Sequence, residues 1–217
     1  MAMNKSRTSL GMKILIIALA VVMAASILLG TVFSTLFNQS STSGNQASTT
    51  AATANTVEGI GQQYTSTIAA NDAVLKKTPK EFSILVSQGN TYFDWALKVQ
   101  QTPALATQQA QVPLWLKAAG YYQRALATTK TIDPQVATDM AAALHYGGQN
   151  DQAIVTIKKV LKADPTLPQA VLNSAIFYES AEQTTSAVAA YTRYLTIKGV
   201  TPDSVTFAKG RLATLQK

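Results

Sequence analysis

Apolar and polar positions divide the chain into three stretches. From Ile14 to Phe37 the residues form one uncharged apolar run. As a helix it would span about 36 Å, enough to cross a hydrocarbon core of about 30 Å with some tilt. Residues 38–56 then carry Ser, Thr, Asn, Gln, Ala and Gly, with no charge and no aromatic residue. They hold too little apolar surface to offset the entropy of ordering, so a flexible tether is expected. From residue 57 onward apolar residues return at helical spacing. Val171, Ala175 and Tyr178 recur at i, i+4 and i+7, and Ala187, Tyr191 and Tyr194 do the same on the next segment. Gly147-Gly148-Gln149-Asn150 reads as a helix stop and turn between two such segments. The pattern predicts an all-α chain.

The helical part is self-similar. Ala153-Ile154-Val155-Thr156-Ile157 aligns with Ala187-Val188-Ala189-Ala190-Tyr191 at a step of 34 residues. At the same step Val160-Leu161 falls on Tyr194-Leu195, Ala141 on Ala175 and Leu144 on Tyr178. One unit earlier, Ala118, Tyr122 and Ala125-Leu126 match Ala153, Ile157 and Val160-Leu161 at 35 residues. Asp133-Pro134 and Asp164-Pro165 close successive units. A short amphipathic pair of helices cannot bury its apolar face alone, so such units must stack.

A period of 34 residues with small residues at fixed places resembles the tetratricopeptide repeat (TPR). The resemblance covers roughly residues 80–198 and implies units of two antiparallel helices, A and B. It places units near 82–133, 134–167 and 168–200, a lone helix or half-repeat at 57–78 as an N-terminal cap, and a capping helix at 202–216. Small residues belong where helices approach closely: Ala141 and Ala153 in one unit, Ala175 and Ala187 in the next. The first unit departs from the pattern through an insertion before Ala118. Thr102-Pro103 is expected to end a long helix A there, and Pro113-Leu114-Trp115 to begin helix B at its first turn. Trp95 and Trp115 flank the insertion and are expected to fill core between long helices. The expected architecture is thus an N-terminal transmembrane helix, a flexible linker and a short α-solenoid of TPR-like hairpins with capping helices.

Charge sets the expected topology. Lys5, Arg7 and Lys13 precede the apolar run, and no cation follows it until Lys76. The positive-inside bias places residues 1–13 in the cytoplasm, 14–37 across a cell membrane as a single uncleaved anchor, and the rest outside the cytoplasm. A cleaved signal peptide would share the basic start, but its apolar core runs only about 7–15 residues. The net charge of +7 mostly reflects those first cations: the helical part holds 15 Lys and Arg against 11 Asp and Glu. That excess is too small and scattered for nucleic-acid binding. Lys158, Lys159 and Lys162 form the densest basic cluster and read as a solvated helix face.

Little in the chain points to chemistry. The absence of cysteine excludes disulfides, zinc–thiolate sites and thiol nucleophiles. His145, the one histidine, has no histidine or carboxylate at i±3 or i±4, so no metal site is expected. Asp133 and Asp139 do not make an obvious acid pair, since the turn before Pro134 accounts for Asp133. No phosphate loop or nucleophile elbow is present. Neither an enzyme nor a cofactor is expected.

TPR arrays bind a segment of another protein in the groove lined by helices A, and the resemblance implies such a partner here. It places Ser83, Val86, Asn90, Phe93 and Asp94 in the groove of the first unit, and Gln135, Thr138, Ala142, His145 and Tyr146 in that of the second. In the third unit it places Gln169, Leu172, Ile176, Glu179 and Ser180. Of these, His145, Tyr146, Leu172, Ile176 and Glu179 are the expected protein-binding residues. The lining is mixed and has no basic clamp for a carboxylate, so an apolar or amphipathic segment fits better than an acidic tail. The expected function is a membrane-anchored scaffold or assembly factor outside the cytoplasm. A homo-oligomeric spacer and a secreted binding protein released by cleavage are the alternatives.

Overall fold

The structure, a computed structural model, describes residues 56–217. The tail 1–13, the expected span 14–37 and the tether up to residue 55 lie outside these residues. Among the described residues no helix is long and apolar enough to cross a membrane.

Nine α-helices follow one another among the described residues: α1 (Val57–Gly61), α2 (Thr65–Lys77), α3 (Phe82–Gln101), α4 (Gln108–Leu126), α5 (Pro134–Tyr146), α6 (Asn150–Ala163), α7 (Pro168–Ser180), α8 (Thr184–Tyr194) and α9 (Pro202–Leu215). Short 3-10 turns stand at Gln62–Tyr64 and Pro103–Leu105. The hairpins α3–α4, α5–α6 and α7–α8 pack one after another, each second helix also touching the first helix of the next unit. The first helices α5 and α7 touch directly as well.

Helix starts follow local chemistry. Asp133 caps α5 by accepting from the amides of Gln135 and Val136, each at 3.0 Å, while Pro134 takes the first position, where no amide is needed. Pro168 and Pro202 take the same position in α7 and α9. Gly148 closes the α5–α6 turn with φ +78°, and the Gln149 amide reaches back to the Leu144 carbonyl at 2.8 Å.

The small residues of the repeat are where the helices press closest. Ala118, Ala153 and Ala187 on the second helices, and Ala141 and Ala175 on the first, are completely buried. Tyr122, Ile157 and Tyr191 fill the equivalent large position in the three units and are also buried.

The insertion in the first unit lengthens both of its helices. α3 and α4 run 20 and 19 residues against 13 and 14 for α5 and α6. Helix B does not begin at Pro113 as expected. Thr107 caps α4, accepting from the Ala110 amide at 3.3 Å, and Pro113 lies inside the helix. The cap fixes the start five residues earlier because Thr107 satisfies an amide that Pro113 could not. Trp115, in the extension, is fully buried. It meets Phe93 edge-on at 4.7 Å and stacks on Tyr146 at 4.9 Å.

Both ends of the stack are covered. Trp95 of α3 donates from Nε1 to the Val57 carbonyl at 3.0 Å, and Gly61 lies so close beneath its ring that a Cβ there would come within 2.2 Å. Asn71 of α2 donates to the buried Gln88 Oε1 at 2.8 Å, and Gln88 donates on to Asp72 at 3.1 Å. At the far end α9 packs on α8, where Tyr194 donates to Ser204 at 2.6 Å.

Candidate protein-binding face

The groove-side positions of helix A behave differently along the stack. In the first two units Ser83, Asn90 and Gln135 are exposed, and Asp94 and Asp139 are half-buried. In the third unit the same face closes. Leu172 and Ile176 are 1% and 2% exposed. They pack as core, because eight consecutive residues of α7, Ala170 to Phe177, are buried around the whole helix.

The other expected contact residues also make internal contacts. His145 stacks on Phe177 at 4.7 Å, with Nδ1 2.8 Å from Asn150 Oδ1. Burial pushes its imidazole below the usual histidine value, and the bond to Asn150 works against that push. Tyr146 carries the stacked Trp115 ring, and burial raises its phenol. Glu179 pairs with Arg211 of α9 and accepts from Tyr191 Oη at 2.9 Å. It therefore ties the C-terminal helix to the third unit. Thr138 and Ala142 are buried too, and Thr138 turns its hydroxyl back to the Pro134 carbonyl at 2.6 Å.

What the structure brings together instead is a set of polar groups around Tyr122 of α4. Tyr122 Oη donates to Asn90 Oδ1 at 2.7 Å. Asp94 and Asp139 lie near enough to Tyr122 and to each other that their charges raise its phenol and Asp94 raises Asp139. Burial comes first among the causes and brings Asp94 to about 6 and Asp139 to about 7; on Asp139 the charge of Asp133 comes next and that of Asp94 last. Neither carboxylate has a hydrogen bond or ion pair with another described residue. Asp94 stands 45 residues before Asp139 in the chain and on another helix. Only the fold joins them, although the repeat register had put Asp94 in the groove.

Two buried donors have no acceptors among the described residues. One is Asn173 Nδ2, on a side chain 1% exposed whose Oδ1 accepts from Gln169 at 3.0 Å. The other is Trp115 Nε1. No group of three or more His, Asp or Glu that could hold a metal ion occurs among the described residues.

No family model matches the chain, and no curated protein matches it. Among solved structures it is similar to two crystal structures of MamA. One is 16% identical over 79% of this chain and 88% of that one, with a TM-score of 0.55. The other is 17% identical over 69% and 86%, with a TM-score of 0.50. At such identities the likeness concerns the fold, and it makes the described part of this chain a TPR-like helical repeat.

Proposed function

We propose that this protein is a membrane-anchored interaction module that holds a segment of another protein along the helix A face, outside the cytoplasm. The observation that supports this most is the exposure of Ser83, Asn90 and Gln135 at helix A positions of the first two units in an otherwise well-packed stack. Stacked helical hairpins present an extended face of this kind, and the fold shared with the MamA structures supplies it. The work of such a module is positioning: it needs a rigid face and a fixed place, and the apolar run 14–37 with its basic flank is the proposed means of fixing it. His145, Tyr146, Leu172, Ile176 and Glu179 then act as the wall that shapes the face.

Photo-crosslinking in native membranes tests this. A crosslinkable residue at Gln135 should capture a discrete partner, and one at the exposed Lys159 on α6 should not. Equal capture at both positions removes the helix A face from the mechanism. Products joining two copies of this chain favour the spacer. Cysteines placed singly at Ser6 and Ser43 of the cysteine-free chain test topology: an impermeant thiol reagent on intact cells should label residue 43 alone.

A further inference from the structure

We propose that the two ends of the stack are complementary halves of one further unit, and that α9 of one copy of this protein packs against α2 of a second copy, joining the two head to tail. The joint is separate from the helix A face and concerns how copies of the chain meet each other.

The register makes α2 a second helix without its first. Val74-Leu75 and Pro79 stand 86 residues before Val160-Leu161 and Pro165. α2 ends as α6 ends: the Thr78 amide bonds the Val74 carbonyl and the Asp164 amide the Val160 carbonyl, each at 2.8 Å. Four residues on from each of these caps α3 and α7 begin, and α2 packs on α3 as α6 packs on α7. α9 is the converse, a first helix without its second. Pro134, Pro168 and Pro202 open α5, α7 and α9 at steps of 34 residues. α9 also packs on α8 as α7 packs on α6. The described residues thus hold a lone second helix, three hairpins and a lone first helix.

Each lone helix leaves bare the side that a hairpin covers. Ala153, Thr156 and Val160 of α6 are buried, whereas Thr67, Ala70 and Val74 at the same places in α2 are exposed. Val74 is 39% exposed, one of only two large apolar side chains so open among the described residues. The exposed residues of α2 from Thr65 to Val74 carry no charge. α9 buries only Ser204 and Ala208, against eight residues in α7. Its Val205 is half-buried and its Lys209 exposed where α7 has the completely buried Val171 and Ala175. The new joint therefore continues the contact the chain already makes in α5–α6 and α7–α8. Such hairpin helices run antiparallel, so the register sets Val205 beside Val74. It also sets Asp203, at the start of α9, beside Lys76 and Lys77 at the end of α2. These three charges are exposed and make no ion pair with another described residue, so the two ends match in charge. Lys209 is the one misfit: its stem lies where the other units have alanine, and its ammonium must reach back to water. The joint is therefore weak. α2 and α9 of one chain are held apart by three hairpins, so the helix that completes either comes from another copy. A contact between two different faces repeats in one direction and builds open rows or rings.

The test uses the full chain in detergent, with single cysteines placed in the cysteine-free sequence. A disulfide needs Cα atoms within about 7 Å. Mixed and gently oxidised, Val74→Cys and Val205→Cys chains should link to each other, while neither variant alone links to itself. A mixture that links no more than the separate variants overturns the proposal. Sedimentation then reads the strength of the joint. Lys209→Ala should tighten self-association about tenfold, Val74→Lys should abolish it, and Lys159→Ala on α6 should leave it unchanged. An unchanged association in Lys209→Ala, or an equal gain in Lys159→Ala, overturns the proposal. If a variant fails to fold, a photo-crosslinker at Val74 decides. Its products should map to α9 of a second copy. Products that map to residues 38–55 of the same chain make the tail the occupant, and products joining α2 to α2 make the contact symmetric. Either result overturns the proposal, as does capture of a different protein alone.

Discussion

Gly89 lies directly against the ring of Tyr122: a Cβ on Gly89 would come within 2.6 Å of Tyr122 Cε1 and 2.7 Å of Cδ1. Tyr122 is 1% exposed and cannot swing away. Alanine ordinarily stabilises a helix interior by up to about 1 kcal/mol over glycine. Here the clash reverses the sign, and Gly89→Ala should cost about 1–3 kcal/mol. Gly120 and Gly210 are also helical, with nothing within 4 Å of the added Cβ. Alanine at either should gain about 0.4–1 kcal/mol. Urea denaturation of the three variants checks the contrast.

Glu182 takes φ +57° one repeat after Gly148, and the Gln183 amide bonds the Tyr178 carbonyl at 2.8 Å just as Gln149 bonds Leu144. The turn is the same, but the third unit makes it with a residue whose Cβ resists it. Glu182→Gly should raise stability by about 0.5–1 kcal/mol, because relief in the left-handed region exceeds the added chain entropy. A melting temperature that falls on this substitution would contradict the account of the turn.

Ile176→Asp should cost about 3–5 kcal/mol, since it puts an unpaired charge where 2% of the side chain reaches solvent. Circular dichroism during denaturation reads this directly. Loss of binding in that variant would report unfolding. The face is better probed at Ser83 and Gln135, which are exposed.

Stability should depend on pH with two opposing contributions. Asp139 is raised to about 7 in the folded state, so its contribution is complete below the unfolded carboxylate value of about 4 and is lost as pH rises through 7. His145 is lowered, so its contribution is present above about 6.5 and is lost as pH falls through the folded value. Asp139→Asn should therefore stabilise the protein by about 1–3 kcal/mol more at pH 8 than at pH 5, allowing for partial exposure of the carboxylate. His145→Gln should remove the loss on the acid side. A denaturation series across this range measures both.

Helix starts at Pro134 and Pro202 are legible in the sequence because proline, cap and apolar period agree there, and at Pro168 proline and period suffice although Leu167 offers no side-chain cap. The start of α4 is not, since two signals compete and the Thr107 cap lies far from the proline that draws the eye. The closing of the third unit is also hidden. Leu172 and Ile176 occupy groove positions in the repeat, and nothing in their identity tells that α7 is enclosed on every side. Asp94 and Asp139 escape notice for the opposite reason. Each is an ordinary acidic residue until α4, packed between its hairpin partner α3 and the next unit's α5, carries Tyr122 to both.

The bond from Trp95 to the Val57 carbonyl fixes where load enters the molecule. A pull applied at Val57 passes through the indole into α3. Force entering there is met first by the longest hairpin of the stack, α3–α4, whereas α9 stands at the far end.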